Sequence, residues 1–77
     1  MVVQILGSGC PKCQQLAQNA QAAIDELGIE ASIEKITDSD AIMEMGVAMT
    51  PALAIDGEVK SAGKVLPQEK IADLLRG

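Results

Sequence analysis

The chain has two cysteines, and they stand together in Gly9-Cys10-Pro11-Lys12-Cys13. Before them lies a short apolar run, Met1 to Leu6, β-branched and broken only by Gln4. Behind them a helical pattern starts at once. A run of this kind reads as a buried strand of a parallel sheet. Gly7-Ser8-Gly9 then has to be a tight turn that carries the chain from strand to helix. This places Cys10 at a helix N-terminus, where unpaired backbone N–H groups and the positive end of the helix dipole favour a thiolate. The thiolate is the nucleophile of disulfide exchange. A glycine turn ahead of a helix also suits phosphate. Here, however, it lacks the third glycine of a dinucleotide fingerprint and the Lys-Ser/Thr of a phosphate loop.

The helix is expected over Pro11 to Leu27. Pro11 suits the first helical position, where its missing N–H is not needed. Cys13, Leu16, Ala17, Ala20, Ile24 and Leu27 recur at three- and four-residue steps and form one apolar face. Gly28 ends the helix in a left-handed conformation, with Ile29 folding back as a hydrophobic contact. In this register Cys13 points inward while Cys10 stays at the open cap. An attacking sulfur and a resolving one are thereby distinguished.

Ile29 to Ile36 alternates at first and predicts a strand with one wet face, at or near a sheet edge. Strand, helix and strand in succession call for a right-handed parallel crossover. Thr37-Asp38-Ser39-Asp40 is a helix-start cluster, followed by a short helix from Ser39 to Met45 that stops at Gly46. Ala52 to Ile55 is a strand, Asp56-Gly57 a hairpin turn, and Glu58 to Ala62 the returning antiparallel strand. Pro67 and the pattern Ile71, Leu74, Leu75 close the chain with a helix ending at Gly77. Met43, Met45 and Met49 have two readings, as a soft docking rim or as aliphatic filler of the core.

Seventy-seven residues make one small domain, residues 1–77. With no Phe, Tyr or Trp, its core must be aliphatic. The net charge of −5 argues against nucleic acid, whose phosphates attract basic faces. It also favours partners with basic or neutral docking patches. No apolar run approaches the roughly 18 residues of a membrane span, and no charged-then-apolar leader follows Met1. The expected setting is the cytoplasm, where a close cysteine pair is catalytic or metal-binding rather than structural. The expected state is a monomer. Three rival readings use the same pair: a non-catalytic adaptor with a structural disulfide, against which the open cap position of Cys10 and the expected cytoplasmic setting both count, and two metal sites. Thiolates suit Cu(I), as in small copper chaperones, but those run strand-helix-strand-strand-helix-strand, whereas this chain ends in a helix. A zinc site would need a second pair or histidines, and the chain has neither.

The order strand-helix-strand-helix-strand-strand-helix, with Cys-X-X-Cys after the first strand and Thr50-Pro51 before the third, resembles the thioredoxin/glutaredoxin family. It is most similar to the very small glutaredoxin-like redox-active disulfide proteins of archaea and bacteria. The matching stretches are Gly7-X-Gly9-Cys10-X-X-Cys13, Thr50-Pro51-Ala52-Leu53 and Ile55-Asp56-Gly57-Glu58-Val59. The resemblance implies a minimal α/β thioredoxin-like fold, a four-stranded mixed sheet flanked by three helices, working as a thiol-disulfide oxidoreductase. Cys10 would attack a substrate disulfide and Cys13 would resolve the mixed disulfide. Gly9, Pro11, Lys12, Thr50 and Pro51 would support the site. Pro51 corresponds to the family's cis-proline, although by itself a proline ahead of a strand reads as trans. Lys12 is either a stabiliser of the thiolate or a solvated side chain. The implied partners are disulfide-bearing proteins and an upstream thiol reductase, with no cofactor and no metal. The chain departs from the family at Gly9, where thioredoxins carry Trp, and at Gln4, where they carry a buried acid. That leaves water or Lys12 to handle the proton. Ser61-Ala62-Gly63-Lys64 stands in place of the Gly-Gly-X-Asp with which glutaredoxins hold glutathione.

Overall fold

The computed structural model describes residues 1–76. The elements run β1 (Val2–Leu6), α1 (Pro11–Leu27), β2 (Ser32–Ile36), α2 (Ser39–Glu44), β3 (Ala52–Ile55), β4 (Glu58–Ala62) and α3 (Gln68–Arg76). The four strands form one mixed sheet in the order β2-β1-β3-β4. β1 pairs parallel with β2 and antiparallel with β3, and β3 pairs antiparallel with β4. This is the expected α/β thioredoxin-like architecture, and the chain closes on a helix. The expected end of that helix at Gly77 lies outside the described residues.

Alternation along the two central strands builds a core on each face of the sheet. Val3 and Ile5 of β1, with Leu53 and Ile55 of β3, meet Leu16, Ala20 and Ile24 of α1 and Ile71 and Leu75 of α3. On the other face, Leu6, Ala52 and Ala54 meet Ile42 of α2 and Val47. Ala52 and Ala54 are fully buried, so the short α2 lies close to the strands. Every fully buried large side chain is aliphatic, among them Leu6, Leu16, Leu53 and Ile71. Polar ties fix α1 to the final segment: Asn19 Nδ2 donates to Leu66 O at 2.9 Å, and Gln68 Nε2 to Glu26 Oε1 at 2.7 Å.

Helix α1 has the expected bounds. Gly28 caps it in the left-handed region at φ 64°, its N–H donating to Ile24 O at 3.0 Å. At the hairpin Asp56 and Gly57 both take positive φ, 51° and 86°. That is the backbone a tight two-residue turn between right-twisted strands requires. In β4 a register shift lets Lys60 bulge between Val59, opposite Ala54, and Ser61, opposite Leu53.

Three expectations need correction. β2 starts at Ser32 rather than Ile29. Its only neighbour is β1, whose pairing begins at Val2 opposite Ser32, with Ser32 N donating to Met1 O at 3.1 Å. Ile29 and Ala31 therefore have no ladder to join and instead pack their side chains on the core. α2 ends at Glu44, with Met45 as its C-cap. The methionines divide between the two readings: Met45 packs on the core beside Ile36 and Val59, whereas Met43 and Met49 are 71% and 66% exposed and fill nothing.

Candidate functional site: a dithiol at a helix cap

At the C-terminal end of β1 the chain turns through Gly7-Ser8-Gly9 and enters α1. Cys10 is the N-cap, in extended conformation at φ −66° and ψ 168°, and Pro11 follows in the first turn. Gln14 N donates to Cys10 O at 3.0 Å, the first bond of the helix ladder. The Gln14 side chain reaches back, Nε2 donating to Gly9 O at 3.1 Å, and so ties the loop to the helix that it starts. The Cys10 side chain caps no backbone N–H itself.

Three residues on, one helical turn returns the chain beneath Cys10. Cys13 is buried, 5% exposed, while Cys10 is partly open. The sulfurs are 3.1 Å apart and both are free. A disulfide needs about 2.05 Å, so closing it takes a movement of about 1 Å and no rearrangement of the helix. The Cys10 thiol lies below its ordinary value. The main cause is the hydrogen bond with the Cys13 side chain; the backbone N–H dipole of Cys13 comes next, burial opposes them, and the N–H dipole of Lys12 adds a lesser push downward. Lys12 thus acts on the sulfur through its main chain, and its side chain is exposed.

Sequence reasoning took Gly7 for a turn residue. Its role is space. A Cβ on Gly7 would overlap Cys13 Sγ and lie 3.8 Å from Thr50 Cβ. Gly7 is therefore the point where β1, the buried sulfur and the Thr50-Pro51 segment meet. The Thr50-Pro51 bond is cis. Leu6 pairs with Ala52, which sets Pro51 level with Gly7, and Gly63 N donates to Pro51 O at 2.9 Å. Pro51 is buried and Thr50 exposed. Gly9, Cys10, Pro11, Lys12, Cys13, Thr50 and Pro51 all lie at one end of the sheet.

Beside Cys13 lies a cavity of about 120 Å³ lined by Ile5, Gly7, Gly9, Cys13, Gln14, Lys35 and Thr37. Gln4 is not part of it. Strand alternation turns Gln4 to the α2 face, where Nε2 donates to Glu34 Oε1 at 3.0 Å and Oε1 is buried without a partner among the described residues. The groups beside Cys13 are instead the aliphatic Ile5 and the cationic Lys35, opposite one another in the β1–β2 register. Strand parity could have placed both, since Lys35 follows Ile33 on the α1 face by two residues.

A family model for the thioredoxin domain matches residues 1–76. The chain belongs to the thioredoxin family. It is 48% identical to a thioredoxin of Methanothermobacter thermautotrophicus over 75 residues, covering 97% of each chain. With a thioredoxin of Methanocaldococcus jannaschii it shares 42% identity over 76 residues, covering 99% of this chain and 87% of that protein. Family and adjacent sulfurs together make it a thiol-disulfide oxidoreductase. Among the described residues no helix is long and apolar enough to cross a membrane.

Proposed function

We propose that this thioredoxin-family chain reduces or exchanges disulfides of protein partners through a Cys10–Cys13 dithiol couple, and that a thiol reductase restores it. The carrying observation is the asymmetry of the pair: one sulfur at an open helix cap with a lowered pKa, the other buried 3.1 Å away. Cys10 as thiolate attacks one sulfur of the partner disulfide. A Cys10–partner bond forms, and the second partner sulfur leaves as a thiolate that takes a proton from water. Cys13 then loses its proton and attacks Cys10 Sγ. The mixed disulfide breaks, the first partner sulfur leaves reduced, and Cys10–Cys13 closes. Two electrons pass from the dithiol to the partner.

Thr50, Pro51 and Gly9 frame the approach. Beside them a groove of about 260 Å³ runs between Ser8, Thr37, Met43, Val47 and Thr50. The exposed Met43 gives this groove a polarizable, adaptable wall suited to varied apolar partner segments. The absence of an acid beside Cys13 leaves proton exchange to water in the 120 Å³ cavity, with Lys35 at its wall.

The test is a redox titration against a dithiothreitol couple, followed by alkylation and mass. A two-electron transition between about −300 and −180 mV is expected, overlapping the span of about −270 to −120 mV over which thioredoxin-like dithiols work. In Cys13→Ser, disulfide-linked adducts at Cys10 should accumulate, and in Cys10→Ser turnover should vanish. Full disulfide reductase activity in Cys10→Ser would overturn the mechanism.

A further inference from the structure

Charge is divided along the chain. Residues 1–58 hold nine of the acidic groups against Lys12 and Lys35, a net of −7. From Val59 onward Lys60, Lys64, Lys70 and Arg76 stand against Glu69 and Asp73, a net of +2. The fold gathers three of these cations in one place. A groove of about 370 Å³ between β4 and α3 is lined by Lys60, Lys64 and Lys70, with Leu66 and Leu74 as apolar surface and Asp73 as its acid. Asp73 is already engaged by Arg76, Nη1 to Oδ1 at 2.7 Å, and Lys60 leans on Glu58 at 3.0 Å. Lys64 and Lys70 make no ion pair among the described residues. Ser61 belongs to the groove wall, and its Oγ is buried without a hydrogen-bond partner among the described residues.

The groove is not remote from the dithiol. Ala62 pairs with Ala52, and the next residue, Gly63, donates its N–H to Pro51 O at 2.9 Å. Lys64 thus leaves the sheet at the end where Cys10 opens. A partner chain laid past Pro51 meets this basic strip next.

We propose that the β4–α3 groove is a docking site for an acidic segment of the proteins that exchange disulfides with Cys10, an apolar side chain resting on Leu66 and Leu74 between flanking carboxylates. The inference rests on the dithiol reading above. Charge complementarity selects the occupant. Flexible lysine ammoniums are point charges that can follow carboxylates spaced along a chain, and their stems extend the apolar floor. The overall charge of −5 would repel an acidic partner elsewhere, so the groove also fixes its orientation.

The probe is a disulfide-free seven-residue peptide with four carboxylates around one leucine, titrated into the reduced, isotope-labelled full chain. Saturable amide shifts are expected at Ser61, Lys64 and Lys70. Binding should weaken about tenfold in the Lys64→Gln/Lys70→Gln variant, and similarly between about 20 and 200 mM salt. A lysine-bearing peptide of the same length should not saturate. In a second arm, the acidic peptide and a neutral one are each joined by a disulfide to a small thiol and offered as substrates. The variant should raise KM about tenfold for the acidic substrate, leaving its kcat and the neutral substrate unchanged. Absent groove shifts, equal binding by the variant, or equal KM values for the two substrates would overturn the docking site while the oxidoreductase role stands. Groove binding without reduction of either substrate would uphold the site and overturn the dithiol reading.

Discussion

Cys10 and Cys13 differ by one turn of helix, and that turn separates exposure from burial. Iodoacetamide at neutral pH should therefore label Cys10 first; equal labelling of both thiols would contradict the 5% exposure of Cys13. The lowered Cys10 thiol also sets a pH dependence of stability. A group whose folded pKa is depressed adds stability above its unfolded value, here the ordinary thiol range of about 8–9, and that contribution fades as pH falls through the folded value. The stability advantage of reduced wild type over Cys10→Ser should thus widen from pH 6 to pH 9 in urea unfolding; a narrowing gap would contradict the assignment. Gly7 is the third residue on which the site depends. In Gly7→Ala the new Cβ must displace Cys13 Sγ, and a misplacement of that kind can cost about 100-fold. The single-turnover rate of mixed-disulfide resolution should fall on that order while circular dichroism stays native.

At the scale of elements, local signals marked most boundaries. Pro11 and Gly28 bracket α1, and the Asp56-Gly57 turn fixes the β3–β4 hairpin. Asp38 caps α2 by accepting from Asp40 N at 3.0 Å. With only six residues, α2 has little else to hold its first turn. Asp38→Ala should cost about 1 kcal/mol by urea unfolding, and Asp38→Ser should restore most of it. The start of β2 escaped because alternation continues through Ile29 and Ala31, whereas a strand lasts only as long as its neighbour. The divided fate of the methionines escaped for a similar reason. Met43 in the last turn of α2 and Met45 at its C-cap are two residues apart, and only packing tells which faces Ile36.

For the whole molecule, the sheet is one strand-pair wide at its buried centre, with β1 and β3 covered on both faces. Stability near 0.05–0.15 kcal/mol per residue gives about 4–12 kcal/mol for a chain of this length. Leu53 is fully buried between β1 and the helices α1 and α3. Truncating such a leucine costs about 2–5 kcal/mol. Leu53→Ala should therefore lower the urea midpoint sharply without changing activity per folded molecule; a loss below about 1 kcal/mol would mean that the core can collapse around the gap.

The sequence alone determined the strand-helix junction, the helix cap at which Cys10 stands, the inward register of Cys13, the hairpin and the order of elements. Each depends on residues within a few positions of one another, where φ preference, capping and periodicity act directly. The tertiary structure decided which groups meet across the sheet. It placed Ile5 and Lys35 beside Cys13 and turned Gln4 away, through strand parity and the β1–β2 register. It made Gly7 a matter of space, because the clash that a side chain would cause comes from Cys13. It also gathered Lys60, Lys64 and Lys70 into one groove, since their spacing along the chain becomes a surface only when α3 folds beside β4.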